Sequence, residues 1–257
     1  MRLTVVGCAG SYPGPDSPAS CYLVEAEGVD EAGEARTWRI VLDLGNGALG
    51  MLHNFADPLA IDAVFLSHLH ADHCIDLCSY HVLRRYHPRG PQPQIPVWGP
   101  TGSADRMARA YDLPADPGMK AEFDFRVYPE QAFTFGPFTL EAVPVAHPVP
   151  AYAIRVVEGD RVLCYTGDCG PCEGVVRAAD GAHLLLAEAA FCEGRDNPPD
   201  LHLTGREAGE LAVKAGVERL VLTHIPPWND PEVAVDEARG VWGGPLDLAR
   251  TGATYAV

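Results

Sequence analysis

A chain of 257 residues with a formal net charge of −16 repels nucleic acids and anionic membranes unless a local basic patch overcomes that charge. Its densest basic stretch, residues 84–89, is short. Hydrophobic residues make up 47% of the chain and charged residues 21%, which is ordinary for a globular enzyme. We therefore expect one compact domain over residues 1–257 and no nucleic-acid partner.

The N-terminal segment predicts a cytoplasmic protein. It begins a strand almost at once and lacks the apolar core of a signal peptide, and no apolar run approaches the length of a membrane span. We accordingly expect no membrane partner. The eight cysteines are scattered among strands and loops instead of framing a small secreted scaffold, so most of them are expected to be reduced thiols.

The first half of the chain begins with strands and continues with helices. Apolar runs and alternation predict strands at residues 2–7, 20–26, 37–43 and 62–66. Helices are predicted over Cys74–Arg85 and Ser103–Tyr111.

The second half repeats this order. Further strands are predicted at residues 122–128, 138–145, 152–157 and 161–165. Apolar runs within residues 182–189 and 218–225 then enclose a helix. That helix is predicted to begin at the N-cap Thr204, with Glu207 completing a capping box, and to end at Gly216. A short strand is expected near residues 254–257. Two strand-rich stretches, each followed by helices, predict an α+β fold with two sheets face to face, a four-layer αββα sandwich.

The stretch SHLHADH, residues 67–73, concentrates metal-binding side chains directly after a predicted strand. Once the chain leaves the strand, His68, His70 and Asp72 can converge on one side of a turn, with His73 beside them at the start of a helix. Imidazole and carboxylate ligands together suit zinc, manganese or iron. The alternative is a polar loop whose histidines only form hydrogen bonds, but isolated histidines fit that description better than a dense cluster does.

Three further candidate ligands follow apolar runs later in the chain. They are His147 in VPVAHPVP, Asp168 in CYTGDCG and His224 in LVLTHIPP. Each would leave the end of a strand and enter a loop at one rim of the sandwich. Together with the first cluster they can hold two metal ions.

This ligand pattern resembles the metallo-β-lactamase superfamily, whose hallmark is His-x-His-x-Asp-His followed by a single His, an Asp and a last His. The resemblance implies two divalent metal ions, zinc or alternatively manganese or iron. One ion would bind His68, His70 and His147, the other would bind Asp72, His73 and His224, and Asp168 would bridge them. In the best-known lactamases a cysteine occupies the position of Asp168, so antibiotic hydrolysis is not expected.

A second pair of residues is similar to the ribonuclease Z-like branch. LLAEAAF followed by HLTGREAGELAVKAGVERLVLTHIPP places Glu188 and His202 at matching positions. The resemblance implies that Glu188 orients His202, which protonates the leaving oxygen of a phosphodiester. The alternative is that His202 caps its helix and Glu188 balances a buried charge.

The chain departs from ribonuclease Z where that enzyme grips tRNA. Only a tight turn interrupts the residues between His147 and Asp168, which leaves no room for a basic arm, and the first loop, YPGPDSPAS, lacks the family's basic residues. GCAGSYPGPDSPASCYLVE and SHLHADHCIDL instead resemble atypical class II cyclic-nucleotide phosphodiesterases. In that loop Gly10 and Ser11 either line the pocket or form a tight turn.

The resemblance therefore implies a metal-dependent phosphodiesterase that acts on a small molecule, a 3′,5′-cyclic nucleotide such as cyclic AMP. Two cations would share a hydroxide and clamp the phosphate, and Asp72 would also hold the nucleophile. The related enzymes often form dimers, which implies a homodimer. RNA 3′-end processing, an iron-dependent oxidoreductase of the same fold and a non-catalytic scaffold remain the alternatives.

The dithiol-like pair Cys169 and Cys172 follows a metal ligand and does not open a thioredoxin-type βαβ unit, so redox catalysis is not expected.

Overall fold

The computed structural model describes residues 1–195 and 197–257. Within these residues the chain forms two seven-stranded sheets that pack face to face. The strands of the first sheet are β1 (Arg2–Gly7), β2 (Cys21–Val29), β3 (Ala35–Leu42), β4 (Ala63–Phe65), β5 (Ile95–Gly99), β6 (Phe123–Val127) and β14 (Thr254–Ala256). Those of the second sheet are β7 (Phe133–Phe135), β8 (Phe138–Pro144), β9 (Tyr152–Glu158), β10 (Arg161–Tyr165), β11 (Leu184–Glu188), β12 (Leu220–Thr223) and β13 (Leu246–Leu248).

Helices cover the outer faces of both sheets. The first sheet is covered by α1 (Ala48–Leu52), α2 (Ala71–Cys74), α3 (Leu77–Arg85) and α4 (Ser103–Ala110). The second sheet is covered by α5 (Glu173–Ala179), α6 (Gly205–Ala215) and α7 (Pro231–Arg239). The predicted α+β class and four-layer αββα sandwich are confirmed. None of the helices in the described part of the chain is long and apolar enough to cross a bilayer.

Each sheet contains a run of parallel strands that ends at the edge where the ligands lie. In the first sheet β3, β4, β5 and β6 pair in parallel, and in the second β10, β11, β12 and β13 do so. The carboxyl ends of parallel strands meet at one edge, where α/β folds usually place their binding sites. The loops that follow β4, β10, β11 and β12 therefore start from neighbouring positions.

The core between the two sheets is apolar and rich in aromatic rings. Tyr22 of β2 and Tyr165 of β10 are fully buried, and their ring centroids lie 4.9 Å apart across the interface. Phe65 of β4 stacks on Trp98 of β5 at 4.9 Å. These rings bury a large apolar area and hold the two sheets at a fixed separation.

Helix α6 has the predicted ends. The hydroxyl of Thr204 accepts a hydrogen bond from the Glu207 amide at 3.2 Å, and the Glu207 carboxylate accepts one from the Thr204 amide at 2.8 Å. Gly216 ends the helix with φ of 63°, a left-handed conformation that glycine adopts at little cost. Both predicted signals are confirmed.

The single helix predicted over Cys74–Arg85 is wrong. The chain forms two helices, α2 and α3, which are separated at Asp76. The Asp76 amide donates to the Leu44 carbonyl at 3.1 Å, and its carboxylate accepts from the Leu49 amide at 2.9 Å. In a continuous helix the Asp76 amide would donate to a carbonyl within the helix, but here it donates to Leu44. The helix is therefore interrupted directly behind the ligand cluster.

Several short elements were not predicted from the sequence. These elements are β5, β7, β13, α1, α5 and α7. Most of them are too short to show a clear apolar periodicity. Helix α7 has a start signal in the sequence, the N-cap Asp230 followed by Pro231.

Candidate metal centre

The cluster at residues 67–73 occupies the loop between β4 and α2 and the first turn of α2. His68 is fully buried, whereas His70 is partly exposed and precedes α2 with an extended backbone (φ −68°, ψ 153°). Asp72 and His73 lie within that helix and are buried. The passage from extended chain to helix brings these four side chains to one site.

The first group of ligand atoms combines three histidines with one carboxylate. His68 Nε2 lies 2.9 Å from His70 Nδ1, which lies 3.3 Å from His147 Nε2. Asp168 Oδ2 lies 3.7 Å from His68 Nε2. His147 comes from the loop between β8 and β9, and Asp168 comes from the loop after β10, so three separate segments meet here.

The second group lies beside the first and shares one residue with it. His73 Nε2 lies 3.1 Å from His224 Nε2, and Asp72 Oδ2 lies 3.2 Å from the same His224 nitrogen. Asp168 Oδ1 lies 3.2 Å from His73 Nε2 and 3.3 Å from His224 Nε2. In each group all ligand atoms lie within 4.8 Å of one another. Asp168 therefore directs one carboxylate oxygen toward each group.

These separations fit divalent cations. A tetrahedral ion with bonds of about 2.0–2.1 Å holds its ligand atoms about 3.3 Å apart, close to the distances between these nitrogens and oxygens. Asp168 Oδ1 is buried and has no hydrogen-bond partner among the described residues. A buried carboxylate oxygen without a partner is costly unless a cation meets it. The residues thus fit two metal ions that share Asp168.

The electrostatics differ between the two groups: they favour the neutral, metal-binding form of the three histidines of the first group, whereas in the second group the carboxylates of Asp168 and Asp43 outweigh burial and raise the pKa of His73. Burial lowers the pKa of His68, His70 and His147, so their rings favour the neutral state that binds metals. Burial opposes the ionisation of Asp168, but the neighbouring ring of His224 and the other imidazoles hold its pKa well below the usual value. The shared ligand is therefore a carboxylate.

Two rings of the first group are oriented through the nitrogen that points away from it. The His68 Nδ1–H donates to Ser67 Oγ at 3.1 Å, and the His147 Nδ1–H donates to the Leu201 carbonyl at 3.0 Å. Each bond fixes the tautomer in which Nε2 carries a free lone pair. Both rings are thus ready to bind before any metal arrives.

Asp43, which sequence reasoning missed, is the centre of the hydrogen bonds behind the site. Its fully buried carboxylate accepts from the Ser67 amide at 2.6 Å, the Ser67 hydroxyl at 2.7 Å and the Tyr165 hydroxyl at 2.8 Å. It also accepts from His73 Nδ1–H at 2.7 Å, which directs His73 Nε2 toward the ligand group. The signal available in the sequence was an aspartate directly after the mostly apolar residues WRIVL, and the structure shows that Asp43 has a left-handed φ of 57°.

His224 is supported by the loop after β1. Its φ is 55°, its amide donates to the Cys8 carbonyl at 3.0 Å, and Gly10 lies against it. A Cβ on Gly10 would lie 2.2 Å from the His224 carbonyl oxygen, so only glycine fits. Gly10 thus packs against the backbone of His224, a contact that neither alternative for this residue included. Ser11 follows in a left-handed turn with φ of 64°.

Glu188 joins three parts of the site. Its Oε1 accepts from His202 Nδ1–H at 2.9 Å and from the Cys169 amide at 2.8 Å, and its Oε2 accepts from the Ala190 amide at 3.2 Å. The Cys169 amide follows Asp168 directly. Glu188 therefore orients His202 and also anchors the loop that carries the shared ligand, a role that the sequence did not predict.

His202 lies beside both ligand groups. Its ring centroid lies 5.8 Å from that of His147 and 5.7 Å from that of His224, and the edge of Phe191 packs against it at 4.9 Å. Burial opposes protonation, but the Glu188 carboxylate outweighs burial and raises the pKa of His202 to about 9. The cap of α6 is Thr204, so the alternative in which His202 caps the helix is wrong.

The dithiol-like pair, Cys169 and Cys172, lies in the loop that carries Asp168. Burial raises the pKa of the Cys169 thiol well above its ordinary value, which disfavours the reactive thiolate. The Cys172 sulfur accepts a hydrogen bond from the Ala146 amide at 3.4 Å. Both thiols are free and pack around the loop that holds Asp168.

A comparison of the sequence with known protein families agrees with this candidate metal site. Residues 39–225 match the family model described as a beta-lactamase superfamily domain. The chain belongs to the metallo-β-lactamase superfamily. Members of this superfamily are metal-dependent hydrolases, and the two His and Asp groups of this chain lie where its fold brings the ligand loops together.

Three similar proteins accompany this family match. It is 40% identical over 262 residues to an uncharacterised protein of Mycobacterium tuberculosis, covering 100% of this chain and 92% of the relative. The crystal structure of the metallo-β-lactamase fold protein YhfI from Bacillus subtilis matches with a TM-score of 0.82 and 26% identity over 99% of this chain and 98% of that chain. Human tRNase Z, short form, matches in fold with a TM-score of 0.77 and 23% identity over 100% and 99% of the two chains. These similarities are consistent with a ribonuclease Z-like branch.

We predict that Gly45→Ala weakens metal binding. A Cβ on Gly45 would lie 2.0 Å from the Asp72 carbonyl oxygen, so the start of α2 must move and take Asp72 and His73 with it. Displaced support around metal ligands typically costs about 10- to 100-fold in affinity. Titration of the metal-free protein with Zn²⁺ measures the change. Gly50→Ala in α1 is the matched control because its Cβ would meet open space, and equal Zn²⁺ affinity in both variants would contradict the prediction.

We predict that Asp168→Ala abolishes the paired arrangement. The variant removes the carboxylate that approaches both ligand groups, so we expect metal analysis by mass spectrometry to give two ions per chain in the parent and at most one in the variant. Asp180→Ala, at the exposed end of α5, is the control and should keep both ions. Two ions in the Asp168 variant would rule out the bridging role.

Proposed function

We propose that this protein hydrolyses a small phosphodiester, and that its substrate is a 3′,5′-cyclic nucleotide such as cyclic AMP. The proposal is carried by one observation, the sharing of Asp168 by two ligand groups directly beside the Glu188–His202 pair. A paired metal site suits a phosphoryl centre because it stabilises charge on both the attacking and the leaving oxygen. A neighbouring proton donor suits an alkoxide, which leaves poorly without a proton.

The residues divide into two metal-binding sets. One ion would be held by His68, His70 and His147, the other by Asp72, His73 and His224, with Asp168 between them. When bound, two divalent ions, with zinc expected and manganese or iron as alternatives, supply an activated water and an electrostatic clamp on the phosphate. Asp72 would also hold the attacking water by a hydrogen bond to its carboxylate.

His202 is the proposed proton donor. Its Nδ1–H is engaged by Glu188 at 2.9 Å, so Nε2 is the nitrogen that can hold a proton for the substrate. Phe191 packs on one side of the ring and limits its rotation. Glu188 in turn is fixed by two backbone amides, which keeps the imidazole at a constant position relative to the ligand groups.

Two features favour a small substrate over RNA. Strands β9 and β10 are joined by a tight turn at Gly159 and Asp160, so the segment between His147 and Asp168 holds no arm that could grip tRNA. The net charge of −16 also opposes binding of a long polyanion, whereas a cyclic nucleotide meets mainly the local field of the site. RNA 3′-end processing is therefore the weaker proposal.

An iron-dependent oxidoreductase has less support. A single iron would leave Asp72 and His224 without a role, although both lie within the second ligand group. Flavodiiron proteins carry a glutamate where this chain has His70. Metal analysis of the purified protein separates the two chemistries.

The test of the proposed function is a substrate panel for the metal-loaded protein. The panel contains cyclic AMP, cyclic GMP, a 2′,3′-cyclic nucleotide, an aryl phosphodiester and precursor tRNA. We expect 3′,5′-cyclic nucleotide hydrolysis to exceed tRNA cleavage by far, with only weak dependence of KM on added salt. Efficient and salt-sensitive tRNA cleavage would replace the proposal with RNA processing.

We predict that His202→Ala lowers turnover of cyclic AMP by about 10²–10⁴-fold while both metals remain bound, because only the proton donor is lost. The loss should be much smaller for an aryl phosphodiester, whose leaving group needs little protonation. Steady-state kinetics and metal analysis measure the two quantities.

Two variants sharpen this prediction. His183→Ala removes a half-buried ring remote from the ligand groups and should leave both substrates unaffected. Glu188→Gln should slow cyclic AMP turnover less than His202→Ala does. It should also perturb the loop of Asp168, because the new side-chain NH2 group would face a backbone N–H that now donates to the Glu188 carboxylate. Equal losses for both substrates in His202→Ala would assign His202 a structural role.

A further inference from the structure

We propose that Tyr12 and Trp228 form a stacking platform for the base of a cyclic nucleotide and give the site a preference for purines. The inference rests on the proposed function and adds the part of the substrate that the metal groups do not contact. The two rings pack on each other with centroids 5.1 Å apart, yet Tyr12 is 40% and Trp228 is 62% exposed.

Tyr12 is carried by the loop that supports His224. Gly10 lies in direct contact with the His224 carbonyl, and its amide donates to the Ile225 carbonyl at 3.2 Å. Tyr12 follows two residues later, so its Cα lies within about 7 Å of Gly10. The Tyr12 amide donates back to the Gly10 carbonyl at 2.7 Å, which keeps this turn tight. The ring therefore starts from the immediate surroundings of a metal-ligand candidate.

Trp228 is carried by a turn tied to both halves of the site. It follows His224 by four residues, and the Asn229 amide closes the turn by donating to the Pro226 carbonyl at 2.9 Å. The Asn229 side-chain amide donates to the Ala190 carbonyl at 2.9 Å, two residues after Glu188. The turn of Trp228 thus connects the loop of a metal-ligand candidate with the loop that orients the proton donor.

The two loops are rigid because prolines limit their backbones. Pro13 follows Tyr12, and the pair Pro226–Pro227 precedes Trp228. The loops also touch, since a Cβ on Gly14 would lie 3.1 Å from the ring of Pro227. An exposed aromatic pair on two loops with restricted backbones loses little conformational entropy when a ligand stacks on it.

Base stacking explains why such rings face solvent at this position. A nucleobase offers a flat π-face that can stack on an exposed aromatic pair. Stacking on an aromatic side chain is sequence-tolerant and depends mainly on the area of the base. A purine covers more of the platform than a pyrimidine does, so purine nucleotides should bind more tightly.

The kinetic test compares Trp228→Ala and Trp228→Phe with the parent. For cyclic AMP we expect KM to rise roughly 5- to 150-fold in Trp228→Ala, with kcat nearly unchanged, and to recover in Trp228→Phe. Ribose 3′,5′-cyclic phosphate, which lacks the base, should show the same KM in all three proteins. Tyr86→Ala is the matched control, because Tyr86 is 66% exposed but neighbours Arg85, which binds Glu122 just before β6, at the opposite end of the sheet from the ligand loops.

A binding test works with little turnover. In His202→Ala, which should keep both metals, cyclic AMP should quench tryptophan fluorescence, and the quench should vanish when Trp228 is also replaced by Phe, although three of the four tryptophans remain. Cyclic AMP and cyclic GMP should bind with lower Kd than cyclic CMP and cyclic UMP. This difference in Kd should be smaller in the Trp228→Ala protein.

The outcomes separate this inference from the proposed function. Unchanged KM for cyclic AMP in Trp228→Ala, with normal hydrolysis by the parent, overturns the platform and leaves the function in place. No cyclic-nucleotide hydrolysis by the parent overturns the proposed function itself. A change from dimer to monomer in Trp228→Ala, with nucleotide binding intact, would show that the pair contacts a second copy of the chain and would also overturn the platform.

Discussion

Seven imidazole and carboxylate groups converge at one edge of this sandwich, with ligand atoms of each group within 4.8 Å of one another. Several ring nitrogens face one another at short range, as His68 Nε2 and His70 Nδ1 do at 2.9 Å. Buried lone pairs directed at one another repel unless a cation lies between them. The loops around the site must therefore be held from behind, and much of the remaining structure at this edge serves that purpose.

Two buried carboxylates, Asp43 and Glu188, hold the loops of the site in position. Asp43 gathers Ser67, Tyr165 and His73 on the side of the first sheet, while Glu188 gathers His202 and two backbone amides on the side of the second. Each is fully buried and each satisfies its oxygens with several donors. A buried carboxylate is stable only under these conditions, and it then fixes its partners in return.

Close backbone contacts complete the support. Gly10 leaves room for the carbonyl of His224, Gly45 leaves room for the carbonyl of Asp72, and Gly167 adopts φ of 57° just before Asp168 with the Ser67 side chain against it. Ligand loops from both sheets can approach only where a Cβ is missing. The loops of Tyr12 and Trp228, which contact His224 or follow it in the chain, also touch each other where Gly14 lies against Pro227.

The sequence by itself indicated the candidate ligand cluster at residues 67–73, the sandwich and the ends of α6, because residue type, periodicity and short spacing carry these features. His68, His70, Asp72 and His73 are neighbours in the chain, and Thr204 with Glu207 forms a local capping box. Tertiary structure alone decided how Asp43 is satisfied, that two backbone amides also hold Glu188, and where the helix behind the cluster breaks. These features depend on contacts between residues far apart in the chain, such as Asp76 with Leu49 or His73 with His224, and local periodicity carries no record of such partners.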